Sequence, residues 1–136
     1  MKQIFFILAV ALFLAGCEQA ENTSIAETHL QSSMQLSLDK NLYHSNEPMN
    51  ISVSINANKP VENVSVKVYG IYASRNRIEL SKTIKLEPGN NIVEFDFRTP
   101  SCNRCSGISP GNYSITAEAE YSGTTIKETK QIEIQQ

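Results

Sequence analysis

From Met34 onward, apolar and polar side chains alternate along a series of short runs. In the run MNISVSINAN, residues 49–58, every second side chain is apolar and its neighbours are serine or asparagine. The same period recurs in MQLSLD, VSVKVYG, IELSKTIKLEPG, NIVEFDFR, YSITAEAEY and TIKETKQIEIQ. An alternation with one buried face and one solvent-exposed face is typical of an antiparallel sheet. Two runs are less regular: we expect a break at Ser81–Lys82, and a bulge or irregular start between Ile126 and Ile132.

Turn signals separate these runs. They contain proline, glycine or asparagine, which favour tight turns, and they read SNEP, NANKP, EPGNN, SPGN and SG. No stretch after residue 33 shows a convincing helical period. About seven short strands in one stretch of this length indicate a two-sheet sandwich. We therefore expect residues 34–136 to form an all-β, antiparallel sandwich of about seven strands.

The first 33 residues follow a different pattern. After Lys2, the chain runs without charge from Ile4 to Ala15 and then reaches the small residues that precede Cys17. This is typical of a secretory signal peptide, and it is too short for a spanning helix, which needs roughly 20 apolar residues. We expect residues 1–16 to be the signal peptide and the polar residues 17–33 to be a flexible tether.

The end of that apolar run, LAGC, resembles the lipobox of prokaryotic lipoproteins. The resemblance implies cleavage before Cys17 and lipidation of its sulfur. It further implies a protein anchored in the cell membrane by that lipid, facing the periplasm or the exterior. The alternative is an ordinary signal peptide that happens to end near a cysteine.

Three longer segments resemble macroglobulin-like and related immunoglobulin-like domains. They are LSLDKNLYHSNEPMNISVSI, IKLEPGNNIVEFDFRTP and ISPGNYSITAEAEY. The resemblance implies an immunoglobulin-like sandwich with Tyr113 as its tyrosine corner, the hydroxyl bonding to upstream backbone. The chain departs from antibody-type domains because it has no tryptophan and lacks their inter-sheet cysteine pair.

Two cysteines remain once Cys17 is assigned to lipid. Cys102 and Cys105 lie in TPSCNRCSGISPGNY, and an oxidising compartment favours a disulfide between them. A thiol-redox site would place the first cysteine at a helix N-terminus, whereas the glycines and proline that follow disfavour a helix. A structural zinc site needs four ligands, and His44 is the one histidine in the predicted domain. Redox and metal-binding chemistry are therefore the least favoured readings.

Composition excludes some functions and leaves one surface of interest. A net charge of −2 provides no basic footprint for nucleic acid, and we find no catalytic or cofactor motif, so we expect neither an enzyme nor a cofactor or metal site. The segment YGIYASRNRIE combines Tyr69, Tyr72, Arg75 and Arg77, residue types enriched at recognition surfaces. Tyrosines packed at a strand end and solubilising arginines are the plainer interpretation.

The sequence thus predicts a membrane-anchored lipoprotein whose domain is a non-catalytic binding or structural module with a protein or glycan partner. The alternative is an inhibitor or accessory subunit of an extracytoplasmic enzyme, in which the loop of residues 99–111 inserts into a cleft.

Overall fold

The computed structural model describes residues 32–102 and 108–136. Cys17, almost all of the predicted tether and Cys105 lie outside these residues. The described residues form eight strands: β1 Ser32–Leu38, β2 Leu42–His44, β3 Pro48–Ala57, β4 Val61–Gly70, β5 Ile78–Leu86, β6 Gly89–Arg98, β7 Gly111–Tyr121 and β8 Thr124–Gln135. Within this part of the chain, no helix has the length and apolar character needed to cross a membrane.

The strands form two sheets around one core. The narrow sheet has the order β1-β3-β6, the wide sheet has the order β2-β8-β7-β4-β5, and every pairing is antiparallel except that of β2 with β8. The alternating apolar side chains of both sheets are buried together, as with Ile51 and Val53 in β3 and Ile115 and Ala117 in β7. The prediction of an all-β antiparallel sandwich is confirmed, with eight strands rather than about seven.

The additional strand is β2, which the sequence pattern did not reveal. It has only three residues and directly precedes the predicted SNEP turn. Tyr43 at its centre is fully buried, and its hydroxyl donates to Asp39 Oδ1 at 2.7 Å and accepts from the Lys40 amide at 3.1 Å. Three residues are too few to display an alternation, and the strand is identified by its parallel pairing with β8, in which Tyr43 lies opposite Ile134.

The expected break in β5 is wrong, because the strand continues without interruption from Ile78 to Leu86. Lys82 occupies a position of the inward-facing series, between Leu80 and Ile84. Since β5 is an edge strand, the lysine reaches out at the side of the sandwich. Its ammonium donates to the Glu94 carbonyl of β6 and lies 5.1 Å from the centre of the Phe95 ring.

The irregularity expected in the last strand is also wrong. β8 pairs with β7 in an unbroken register from Thr124 to Ile134. Glu128 occupies an inward-series position yet is exposed, since the three-stranded sheet is narrower than the five-stranded sheet. A register shift occurs instead in the pairing of β4 with β5, between Val61 and Val64.

The sandwich has two distinct poles. At the N-terminal pole, Ser32 begins β1 and pairs with Ala57, which pairs in turn with Gly89. At the other end, which we call the loop pole, Pro48 pairs with Arg98. The ten residues of β3 separate the two poles by about 30 Å, at roughly 3.3 Å per residue.

Candidate functional site

A groove opens at the loop pole, on the side of the sandwich where the edge strands β5 and β6 meet. Its volume is about 500 Å³. Three arginines are among its lining residues, Arg75, Arg77 and Arg98, and its apolar lining consists of Leu80, Phe97 and Pro100. Glu79 and Asn76 complete the lining. We call this feature the arginine groove.

The loop that carries two of these arginines is pinned to the sheet at its start. A Cβ at Gly70 would lie 2.2 Å from the Ser114 carbonyl oxygen, so this close approach requires glycine. The amide of the next residue, Ile71, donates to the same oxygen at 3.0 Å. Ile71 is fully buried with a φ of 50°, a conformation that β-branched residues rarely adopt.

Backbone bonds also close the loop at its far end. The amide of Arg77 donates to the Gly70 carbonyl at 2.9 Å, and that of Ala73 donates to the Arg75 carbonyl at 3.0 Å. Ser74 between them has a φ of 64°. The loop therefore presents its arginines from a backbone that is fixed on both sides.

The three guanidinium groups have different surroundings. Nη1 of Arg98 donates to the Asn46 carbonyl at 2.6 Å, which fixes its position. Arg75 is exposed, whereas Arg77 is half-buried. Nε of Arg77 is buried and has no hydrogen-bond partner among the described residues. A buried donor without a partner is costly, by about 1–3 kcal/mol and more when it is charged.

The structure brings together only part of the predicted recognition surface. Arg75 and Arg77 line the arginine groove, but Tyr69 lines a neighbouring concavity of about 550 Å³ together with Lys67. The Tyr69 hydroxyl donates to Glu118 at 3.3 Å. Tyr72 belongs to neither lining and is 68% exposed.

The pattern of the sequence does not reveal the contributions of β6 to the groove. Phe97 follows the strand alternation and therefore looked like an ordinary core residue, and Arg98 and Pro100 follow it directly. Only the crossing of the chain between the two sheets places them beside Arg75 and Arg77. No local signal reports that neighbourhood.

The segment that leads to the cysteines is fixed against the loop between β2 and β3. Thr99 is only 2% exposed. Its hydroxyl donates to the His44 carbonyl at 2.6 Å and accepts from the Glu47 amide at 2.7 Å. The Cys102 amide then donates to the Ser45 hydroxyl at 2.8 Å.

Cys102 itself is buried, with 6% of its surface exposed, and burial raises the pKa of its thiol. No described residue forms a disulfide with it. Cys105, its expected partner, lies outside the described residues, so the pairing stays a prediction.

Tyr113 makes the contact expected of a tyrosine corner. Its hydroxyl donates to the Ser109 carbonyl at 2.6 Å and accepts from the Ser109 amide at 3.2 Å. The ring packs against the core. The bond therefore fixes the chain as it enters β7 at Gly111.

Two carboxylates near the loop pole are stabilised in their charged form. Hydrogen bonds from the Lys40 ammonium and from the His44 amide lower the pKa of Glu47 to about 2. Burial tends to raise the pKa of Asp39, but bonds from the Tyr43 hydroxyl and from the Asn50 amide outweigh it, and the net shift is downward. Within the described ranges, no group of three or more histidine, cysteine or acidic side chains could hold a metal ion.

Comparison with known proteins identifies the fold. No family model matches the chain, and no curated protein matches it in sequence. A CARDB domain from Pyrococcus furiosus, solved in complex with di-metal ions, is similar in structure, with a TM-score of 0.59 and 16% identity over 78% of this chain and 89% of that one. The fold is an immunoglobulin-like β-sandwich.

Two larger proteins contain a similar sandwich. The sporulation control protein Spo0M of Bacillus subtilis matches with a TM-score of 0.55 and 12% identity, over 77% of this chain and 49% of that one. A β-glucosidase of Erythrobacter marinus matches with a TM-score of 0.54 and 19% identity, over 78% of this chain and 16% of the enzyme. At these identities, the similarity shows the fold alone.

Proposed function

We propose that this chain is a membrane-anchored, non-catalytic binding module that recognises a partner through the arginine groove. The observation that carries the proposal is the combination, in the lining of one concavity, of three arginines with half-buried apolar side chains. Arginine and aromatic side chains supply much of the binding energy at protein interfaces.

The frame around the groove supports this role. The loop of residues 71–77, which we call the arginine loop, is pinned at Gly70 and closed at Arg77, and Arg98 is held by Asn46. Groups that are already ordered lose less conformational entropy on binding. A rigid sandwich with such a groove at one pole is suited to binding a partner without catalysing a reaction.

A crosslinking experiment in intact cells tests the groove. A photoreactive amino acid at Asn76, inside the groove, should yield an adduct of discrete mass, and the adduct should be lost when Arg77→Gln is added. The matched control is the same amino acid at Asn90, an exposed asparagine on β6 near the N-terminal pole. Identical adducts at both positions, or none at Asn76, would contradict the proposal.

The membrane attachment is proposed on the lipobox resemblance. Lipid on Cys17 would hold the domain at the cell membrane, facing the periplasm or the exterior, because two or more acyl chains anchor a protein stably. Cys17→Ser should move the protein from the membrane fraction to the soluble fraction while its thermal midpoint is unchanged. Continued pelleting of this variant with membranes would count against lipidation.

We also propose a disulfide between Cys102 and Cys105. It would close a short loop and stabilise the domain by roughly 2 kcal/mol in the chain-entropy model. In the intact protein, both thiols should resist alkylation until a reductant is added, as measured by mass spectrometry under denaturing conditions. Free alkylation of both thiols without reductant would rule the bond out.

A further inference from the structure

We infer that the arginine groove takes an acidic segment of a protein partner, in which carboxylates flank an apolar side chain. The inference rests on the proposed function and names the chemistry of the partner. The apolar side chain would lie against Phe97 and Leu80, and the carboxylates would meet Arg75, Arg77 and Arg98.

The charge of the groove supports an anionic occupant. Its lining contains three arginines and one acidic residue, Glu79, although the whole chain has a net charge of −2. The groove is therefore locally positive on a slightly acidic protein. Guanidinium groups present planar pairs of donors that match a carboxylate.

Unused donors support the same conclusion. Arg98 donates one hydrogen bond to the Asn46 carbonyl, whereas a guanidinium group has five N–H donors. Nε of Arg77 is buried without a partner in the described chain. The guanidinium groups of Arg77 and Arg98 therefore keep N–H donors that are not bonded within the described residues.

The apolar lining favours a protein segment over a simple anion. Leu80, Phe97 and Pro100 are all half-buried, and a phosphate or an isolated carboxylate would leave them in contact with water. In an extended segment, side chains two positions apart lie on the same face, about 6.6 Å from each other. When one carboxylate stands two positions before an apolar residue and another stands two positions after it, all three side chains lie on one face. The carboxylates can then meet the arginines while the apolar side chain is buried.

Lys82 sets the length of that segment. Its ammonium donates to the Glu94 carbonyl on the unpaired edge of β6. This carbonyl is therefore not available to pair with a docking segment. A docking segment can therefore extend only from this point towards the loop pole, beside Phe97 and Arg98. This leaves room for a few residues and not for a long added strand.

A peptide selection tests the inference. A library of random 12-residue peptides is displayed against the full-length chain held in detergent micelles. We expect enriched peptides to place Asp or Glu two positions before and two positions after Leu, Ile, Met or Phe. Their affinity should fall at least tenfold in Arg77→Gln and should weaken with added salt, since exposed charges are screened.

Two further variants keep the test independent of folding defects. Arg75→Gln changes an exposed side chain and should weaken the same peptides about threefold or more without altering the thermal midpoint. Lys85→Gln removes one positive charge from β5 at the N-terminal pole, where Lys85 pairs with Glu62 and Glu87. This matched control should change affinity by less than twofold.

The outcomes separate the inference from the proposed function. Enriched peptides that are basic or uncharged, yet still lost in Phe97→Ala, would overturn the acidic chemistry and leave the groove as a binding site. A failure to enrich any peptide, together with a groove-specific adduct at Asn76, would overturn the inference alone. Failure of both experiments would overturn both.

Discussion

The hydroxyl of Tyr113 bonds to the carbonyl and to the amide of Ser109, four residues upstream. A single side chain thereby fixes the direction in which the chain enters β7. At the other side of the loop pole, Thr99 performs a similar task with its bonds to His44 and Glu47. The loops of this pole are thus held by side chains that bond to backbone.

The bond of Tyr113 leads to a stability prediction. Tyr113→Phe should lower the free energy of unfolding by about 1 kcal/mol, the usual net value of one hydrogen bond. Chemical denaturation of both proteins measures the difference. Tyr72→Phe, at a tyrosine that is 68% exposed, is the control and should leave the midpoint unchanged. A midpoint for Tyr113→Phe equal to that of the parent would show that the corner bond contributes nothing.

Glu47 leads to a prediction of pH dependence. Its pKa falls from 4.5 to about 2 because of bonds from Lys40 and His44. A carboxylate with a depressed pKa stabilises the fold above its unfolded pKa and loses that contribution as pH falls through its folded pKa. The thermal midpoint of the parent should therefore exceed that of Glu47→Gln at pH 6. The gap should narrow between about pH 4.5 and pH 2, and a gap independent of pH would contradict this account.

Among the strands, Lys82 shows how an edge is protected. A lysine at an inward position interrupts the apolar alternation, and for that reason the sequence pattern suggested a break. In the sandwich it lies over the Phe95 ring and donates to the Glu94 carbonyl. Inward-pointing charges on edge strands are a known defence against pairing with other chains.

Replacement of this lysine should expose the edge. Lys82→Thr keeps a residue that favours strands but removes the charge, and we expect its apparent mass to rise with protein concentration relative to the parent. Sedimentation velocity measures this association. Lys85→Thr, on the outward series of the same strand, is the control and should behave like the parent. Equal association of the two variants would show that Lys82 does not guard the edge.

The same elements show how far sequence alone can go. Alternation predicts long strands such as β3 and β7 because their period reflects burial on one face only. It fails for β2, which is too short to show a period, and at Lys82, where an edge position allows a charge. The sequence indicates only half of the candidate site. Arg75 and Arg77 are recognisable in one loop. Phe97 and Arg98 lie beside them only because the chain crosses from β5 to β6. Long-range proximity of this kind leaves no mark on the local pattern.

For the whole molecule, the decisive feature is the separation of the two poles. β1 begins with Ser32 at the N-terminal pole, and the arginine groove lies at the loop pole, about 30 Å away by the length of β3. The 14 residues between Cys17 and Ser32 can span at most about 50 Å, because an extended chain rises roughly 3.3–3.6 Å per residue. On the proposed lipid anchor, the N-terminal pole is therefore the one attached to the membrane side.

This arrangement predicts a difference in distance from the bilayer. The lipidated protein is placed in vesicles that carry a quencher on their lipid headgroups, with a fluorescent amino acid at either Asn90 or Tyr72. Quenching should be stronger at Asn90, which is close to the N-terminal pole, than at Tyr72 in the arginine loop. Equal quenching at the two positions would contradict this orientation.

The position of β1 also bears on how tight the groove needs to be. On the proposed lipid anchor, the groove would stay within a thin layer above the membrane. There it would meet a partner held in the same membrane at an effective concentration on the order of millimolar. Binding that is weak in solution then suffices for capture at the surface. The same groove would bind little of that partner when the partner is free and dilute. The anchor would therefore make binding depend on where the partner is located as well as on its charge.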